Sequence, residues 1–374
     1  MSPATTDTAI PATMRGWHLT GHGGFEVLDW REDIPVPHPG PGEVLIRVAA
    51  AAINNTDINT RTAWYSKAVR GPTEEGGVGG FAGADNADGA WDGGGIAFPR
   101  IQGADCCGRV VAVGAGVDKG RVGERVVVRA LQSTGPRRAG RPNPYATWTF
   151  GSECDGGFAE YAVTFTEDAL PVNADWTDGE LASVPCASST AEGMIQRIGL
   201  HEGSPKRVLV TGASGGVGSA AVQLLKARGH TVVAQVGGAK ARALRELGAD
   251  ETLPRDGAPE ADSVHAVLDL VAGPGWPALI DALRRGGRYV ASGAIAGPIV
   301  ELDVRTLYLR DLTLAGSTFQ PNNILPDVIA LIEAGRIRPV IAETYPLPKM
   351  IEAQEAFLAK RHVGKIVLEV GGTG

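Results

Sequence analysis

The chain has 374 residues and a mass of 38.8 kDa, with 43% hydrophobic residues, 21% charged residues and a net charge of −7. That balance fits a folded protein with a full core and excludes whole-chain disorder, and the length points to about two domains. The pI near 5.6 shows no basic face for nucleic acid, no run approaches the roughly 18 apolar residues of a membrane span, and four cysteines are too few for a disulfide framework.

Residues 1–13 (MSPATTDTAIPAT) lack the charged and apolar regions of a secretory signal and read as a disordered tail. With sparse cysteines, this points to a reducing, cytoplasmic compartment. RGWHLTGHGG, FEVLDWRED and GEVLIRVAAAAI follow as short β-type segments separated by Gly and Pro turns. Segment 71–95 is rich in glycine and acidic residues and has no basic residue. Such a stretch buries too little apolar surface to offset its ordering entropy, so a flexible surface insertion is expected. Phe81 and Trp91 are odd residues for a pure linker. Val110–Val113 and Val126–Val128 read as buried strands, and the Pro- and Arg-rich stretch from Gln132 to Tyr145 reads as a loop.

Beyond about residue 163 the period changes. Asp178–Ile198 is predicted helical, with Thr177 or Asp178 as N-cap and Gly199 closing it. A strand over Lys206–Thr211, a glycine turn, a helix over Ser219–Gly229 and a strand over Thr231–Val236 make one β–α–β unit. A helix over Ala239–Leu247, a strand over Val264–Val271 and a helix over Trp276–Leu283 come next, then strands over Arg288–Ser292 and Leu312–Ser317. This alternation predicts an α/β fold with a parallel sheet covered on both faces. From Ile324 on, the pattern gives a helix, a strand near Tyr345, a helix around Ile351–Leu358 and a last strand over Lys365–Val370. These β-branched elements suit a return to the first domain.

The strongest motif is VLVTGASGGVGSAAVQLLKARG. Ala213-Ser214-Gly215-Gly216-Val217-Gly218 has the Gly-x-Gly-x-x-Gly form, with Ala213 in the first glycine position. It sits between a predicted strand and a predicted helix. Gly215 lets backbone approach a pyrophosphate, Gly218 lets the helix pack on the strand, and the helix N-terminus offers N–H groups to phosphate. A cofactor with a free ribose 2′-OH wants a carboxylate about 20 residues further on. The sequence reads AQVGGAKAR there, with no acid. Lys240 and Arg242 are candidate partners for a 2′-phosphate, although both also suit a solvated helix face. NADPH is therefore the expected cofactor.

These motifs, in order with LTGHGGFEVL, PGPGEVLIRVAAAAINNTDIN, IQGADCCGRVVAVGAGV, RVGERVVV, DGGFAEYAV, ELGAD, GGRYVASG and HVGKIVL, resemble the medium-chain dehydrogenase/reductase superfamily. Within it, the chain resembles the zinc-independent quinone oxidoreductase-like members. The resemblance implies a GroES-like catalytic domain from residues 14–165 and 319–374 and a Rossmann cofactor domain over 166–318, with an active-site cleft between them. It also implies cofactor contacts at Ser292-Gly293, Phe319 and Lys365; the last also suits a solvated strand residue.

Zinc-dependent members carry a Cys, a Gly-His-Glu and a second Cys. Here Asn54 or Asn55 stands at the first position, Gly103-Ala104-Asp105 at the second and Cys186 at the third. A catalytic zinc needs three protein ligands and an open position, so no metal is expected. Hydride transfer without a Lewis acid then needs hydrogen-bond donors for the charge that builds on the substrate oxygen. The segment NNTDINTRTAWY resembles the family's Asn-x-x-Asp segment ending in a tyrosine beside the nicotinamide. Asn54, Asp57 and Tyr65 match it. Tyr65 reads equally as proton donor or as a packed aromatic lid, Asn54 suits backbone orientation, and Asp57 suits a helix start. Trp64, with Phe150 or Trp148, is a candidate lining of an apolar pocket.

The leading expectation is an NADPH-dependent reductase of a quinone or an α,β-unsaturated carbonyl. A carbonyl reductase or alcohol dehydrogenase, and a non-catalytic NADPH-binding protein, are the alternatives. A small-molecule substrate is expected, with no nucleic-acid or membrane partner. Homodimerisation is expected by resemblance, through the segment DLTLAGSTF as a sheet edge.

Overall fold

The computed structural model describes residues 10–83, 87–91, 93–132 and 145–371. Two large sheets organise them. One is all-parallel, with six strands in the order Glu251–Pro254, Thr231–Val236, Arg207–Val210, Val264–Asp269, Leu283–Ala291 and Thr313–Gly316. Alternate residues of the central strand feed two different cores. Val208 and Val210 join one cluster, together with helices Pro185–Arg197 and Gly216–Ala227. Leu209 joins the opposite cluster, with Trp276, Leu279 and Ile280 of helix Trp276–Ala282. Burial on both faces explains the near-continuous apolar run of this strand. Each fully buried Val or Leu contributes about 1.5–3 kcal/mol of transfer free energy.

The other sheet is mixed, as expected for a GroES-like unit. Glu43–Ala52 pairs antiparallel with Cys107–Val113, Tyr161–Phe165 and Lys365–Glu369, and Lys365–Glu369 pairs in parallel with Ile341–Pro346. The C-terminal strands thus rejoin the N-terminal part of the chain. This places Lys365 at the junction of the two sheets.

Several elements depart from the sequence reading. The helix predicted over 178–198 is two, Asp178–Ala182 and Pro185–Arg197. Pro185 cannot donate an N–H, so the first helix ends before it and the second begins with Pro at its first turn. Thr177 is the N-cap, in a capping box with Glu180. The edge strand Glu251–Pro254 and the helix Val304–Leu309 lack a sequence signal; the strand is short and holds a proline, which only an edge tolerates.

The tail is shorter than the expected 1–13. Ala12 O accepts from Val36 N at 3.1 Å, and Thr13 opens the first strand. Residues 1–9 lie outside the described residues, as does most of the loop expected over 132–145. The described part of segment 71–95 packs against the body, more than its composition predicts. Thr73 N donates to Ile295 O at 3.1 Å and Trp64 Nε1 to Gly71 O at 3.1 Å. The guanidinium of Arg61, fully buried, donates to Gly77 O at 2.6 Å and to Gly23 O at 2.9 Å. Among the described residues no helix is long and apolar enough to cross a membrane.

Candidate active site

The glycine turn has the expected form. Strand Arg207–Val210 ends, Gly212 takes φ +57°, and Gly215 caps helix Gly216–Ala227. A Cβ on Gly215 would meet only Gly212 O, at 3.6 Å, so this backbone is open to close approach. A Cβ on Gly218 would lie 2.4 Å from Gly212 O and 2.5 Å from Ala213 Cα, so the helix is pressed onto the turn. No side chain caps the helix start, which leaves its N–H groups and partial positive charge for phosphate. Beneath the turn, buried Asp269 accepts from Thr211 Oγ1 at 2.5 Å, Tyr289 OH at 2.7 Å and Val271 N at 2.9 Å. These bonds tie the ends of two central strands to the turn.

A cavity of about 240 Å³ runs from the turn to the second sheet. Ser214, Gly215, Gly216, Val217 and Gly218 line it, as do Ser292, Gly293, Lys240, Lys365, Asn54 and Tyr65. Of the residues expected to contact a dinucleotide, all but Arg242 and Phe319 line this cavity. Ser292 Oγ donates to Ser317 O at 2.7 Å, and a Cβ on Gly293 would lie 3.0 Å from Leu270 O. Backbone is thus the surface offered there.

The far end of the cavity is basic. Lys240 donates to Ser214 Oγ at 3.4 Å and to Lys360 O. Arg255 and Lys360 line the same cavity and the adjoining one of about 610 Å³. Burial, with Lys240 and Arg255 nearby, pushes the Lys360 ammonium down to about 8. Burial and the same lysines push His362 down to about 4, so it is neutral at pH 7. Arg242 is a correction: its side chain is 91% exposed and pairs with Glu246 at 2.8 Å, one helical turn on. It follows Lys240 by two positions in a helix, so it points elsewhere. Arg255 and Lys360 escaped the sequence reading because distant segments bring them to Lys240.

At the inner end, Asn54 lines the cavity with a saturated amide. Its Nδ2 donates to Asp105 Oδ2 at 2.8 Å and to Ala52 O at 3.1 Å, and its Oδ1 accepts from Lys365 Nζ. Its role is positional, because no amide donor remains for a substrate. Asp57 is also corrected: it does not line the cavity. It is buried and accepts from Asn54 N at 2.7 Å and Ala104 N at 3.2 Å, as the acidic half of a capping box on helix Asn55–Arg61. Burial pushes its carboxyl up to about 7. Tyr65 OH donates to Thr56 Oγ1 at 3.1 Å. Burial pushes the phenol up, so it stays protonated at neutral pH.

These residues do not fit a zinc ion. Lys365 Nζ lies 2.8 Å from Asp105 Oδ2, an ion pair buried on both sides, and Asp105 Oδ1 accepts from Cys186 N at 2.7 Å. Burial, with Asp105 nearby, pushes the Cys186 thiol up and away from the thiolate that zinc binds. Among the described residues no group of three His, Cys, Asp or Glu is placed to hold a metal.

An outer cavity of about 540 Å³ adjoins this end and is lined by Trp64, Tyr65, Trp91 and Phe319. Phe319, expected at the cofactor, thus lines this outer cavity and not the one at the glycine turn, edge-on to Tyr145 with centroids 5.3 Å apart. Trp148 and Phe150 line neither cavity, and Phe150 is core.

Comparison with known proteins fits this geometry. Residues 40–174 match the alcohol dehydrogenase GroES-like domain, and residues 216–334 match the zinc-binding dehydrogenase domain. A candidate alcohol dehydrogenase of Sinorhizobium meliloti 1021 is 39% identical, with 97% of this chain and 98% of that one covered and a TM-score of 0.83. Acryloyl-coenzyme A reductase of Metallosphaera sedula is 26% identical over 95% of this chain and 99% of that protein. The quinone oxidoreductase of Lama guanicoe is 27% identical over 95% of this chain and 97% of that protein. With both domains, the glycine turn and a relative of this identity over nearly the whole length, the chain belongs to the medium-chain dehydrogenase/reductase superfamily of nicotinamide dinucleotide-dependent oxidoreductases, with quinone oxidoreductase-like relatives.

Proposed function

We propose that the chain is an NADPH-dependent reductase that transfers hydride to a quinone or an α,β-unsaturated carbonyl without zinc. In this reading residues 14–165 and 319–374 form the catalytic domain and residues 166–318 the cofactor domain. The observation that carries it is the shared lining: one cavity holds the glycine turn, Ser292-Gly293, Tyr65 and Lys365 together. A bound reduced nicotinamide supplies the hydride. The protein supports transfer in three ways. The open helix start and Gly215 hold the pyrophosphate. Lys240, Arg255 and Lys360 give the ribose end the positive charge that a 2′-phosphate needs, against Glu74 and Asp256 in the same lining, while the strand end at Gln235–Gly238 offers no carboxylate for a 2′-OH. Lys365 uses two of its three N–H donors on Asn54 and Asp105, which leaves one for the dinucleotide whose turn its stem crosses at Gly216.

At the reacting end Tyr65 is the donor. Its phenol keeps its proton, and its bond to Thr56 exchanges readily for one to a substrate oxygen as negative charge builds there. Such a donor lowers the barrier by about 3 kcal/mol. A homodimer is part of the same reading. Strand Thr313–Gly316 is a sheet edge, and Val304, Tyr308 and Leu309 expose apolar side chains just before it.

The test is NADPH oxidation with a quinone, an enone and an aldehyde. Turnover of the quinone or the enone is expected. Turnover of the aldehyde alone would favour a carbonyl reductase or alcohol dehydrogenase, and NADPH binding with no turnover would favour a non-catalytic binding protein.

A further inference from the structure

We propose that the acceptor carries an aryl ring conjugated to its carbonyl, and that Trp91, supplied by the glycine-rich insertion, selects it. The inference rests on the reductase reading for the reacting group and goes beyond it in naming what the outer cavity holds.

That cavity shares Tyr65, Ser292 and Gly293 with the cofactor cleft, so it begins where the nicotinamide end would lie. Its aromatic lining is ordered. The Trp91 ring meets Tyr65 edge to face, with centroids 4.8 Å apart at 75°, and Trp64 meets Tyr65 at 5.8 Å and 74°. These rings and Phe319 are half-buried, and none belongs to the three apolar cores. With Tyr145, which meets Phe319 edge-on, they line the cavity with aromatic surface. The ring quadrupole favours a further ring set edge to face against such a group over an alkyl chain of equal area. Gly293, Ala294 and Gly316 leave space for a flat group beside the nicotinamide position, and the charged side chain in the lining among the described residues is Arg197, 6.0 Å from the Tyr145 ring centroid.

Trp91 is the part of this lining that the insertion adds. Its neighbours form a tight loop, with Ala90 N donating to Gly94 O at 2.9 Å and Gly93 N to Ala90 O at 3.1 Å. Lys67 N donates to Asp88 Oδ2 at 2.9 Å, which fixes the loop beside Trp64 and Tyr65. The Trp91 ring anchors this glycine-rich acidic segment against Tyr65. Here the segment holds one ring in place at the mouth of the site.

The experiment compares benzylideneacetone with 3-penten-2-one, methyl ketones that differ in phenyl against methyl. For the wild-type protein, kcat/KM should favour the aryl ketone by about tenfold or more. Trp91→Ala and Trp91→Leu should each lower that ratio about tenfold, while Trp91→Phe keeps most of it. NADPH affinity serves as the folding control for each variant. No aryl preference in the wild type, or a ratio unmoved in Trp91→Ala and Trp91→Leu, overturns the inference. Turnover of neither ketone, nor of a quinone, counts against the reductase reading instead. In that case calorimetry of both ketones on the NADP+-loaded wild-type and Trp91→Leu proteins decides the inference by the same ratio, taken from Kd.

Discussion

In the proposed reading Tyr65 and Lys360 act as single residues in opposite ways. Burial keeps the Tyr65 phenol protonated, so its value lies in donating a proton or hydrogen bond. Tyr65→Phe should lower kcat about 100-fold and leave NADPH affinity near wild type, as stopped-flow turnover and fluorescence titration would show. Lys360 has the reverse problem: burial strips water from a cation. Lys240 and Arg255 face it and lower its pKa further, Glu74 opposes them, and neutral His362 adds no charge. With a value of about 8, the ammonium loses its proton as pH rises through that point, and its attraction for a 2′-phosphate goes with it. NADPH affinity should therefore weaken above pH 8, while NADH affinity stays flat over the same range. Arg255→Ala should weaken NADPH about tenfold by losing one charge-assisted contact, and Arg242→Ala should not weaken it, since Arg242 faces solvent. Lys240 was legible because it follows the second strand of a β–α–β unit at a set distance. Arg255 and Lys360 were not, because their meeting with Lys240 depends on long-range folding that no spacing encodes.

The short helix Asn55–Arg61 organises the site at the scale of elements. Its N-terminus holds Asn54 and Asp57, and its C-terminus holds Arg61. Arg61 ties the insertion at Gly77, the loop at Gly23 and helix Met350–Leu358, through Gln354 Oε1 at 3.3 Å. Its ring partner is Phe25, at 4.6 Å from the guanidinium carbon. Arg61→Met would leave buried carbonyls without donors and should lower stability by about 2–3 kcal/mol, read as a lower urea midpoint. The capping box of Asp57 was written in the sequence as Asn-x-x-Asp, yet the same pair resembled catalytic residues. Only burial separates the two meanings, and burial is set by the chain that folds over them. The insertion shows the same gap. Its composition predicts flexibility, but composition does not register the hydrogen bonds at Gly71, Thr73, Gly77 and Asp88 and the Trp91–Tyr65 ring pair that hold the described part in place.

At the scale of the whole molecule the described residues form two large sheets with a cleft between them, and the order of elements made that much legible. Alternating strands and helices dictate a parallel sheet, and β-branched segments at both ends dictate the mixed one. In the proposed dimer the edge strand Thr313–Gly316 and the apolar side chains before it form the interface, so light scattering should give twice the 38.8 kDa chain mass. Leu309→Lys with Tyr308→Lys should shift the protein toward monomer. The turn after Thr211 is proposed to hold a reduced dinucleotide, with its 2′-phosphate among Lys240, Arg255 and Lys360. Calorimetric titration with NADPH and NADH at pH 7 checks both parts at once. NADPH should bind saturably and tighter than NADH by about tenfold or more, or about 1.4 kcal/mol. Equal or tighter binding of NADH would remove the 2′-phosphate from the basic end of the cleft, and no binding of either would overturn the reductase reading.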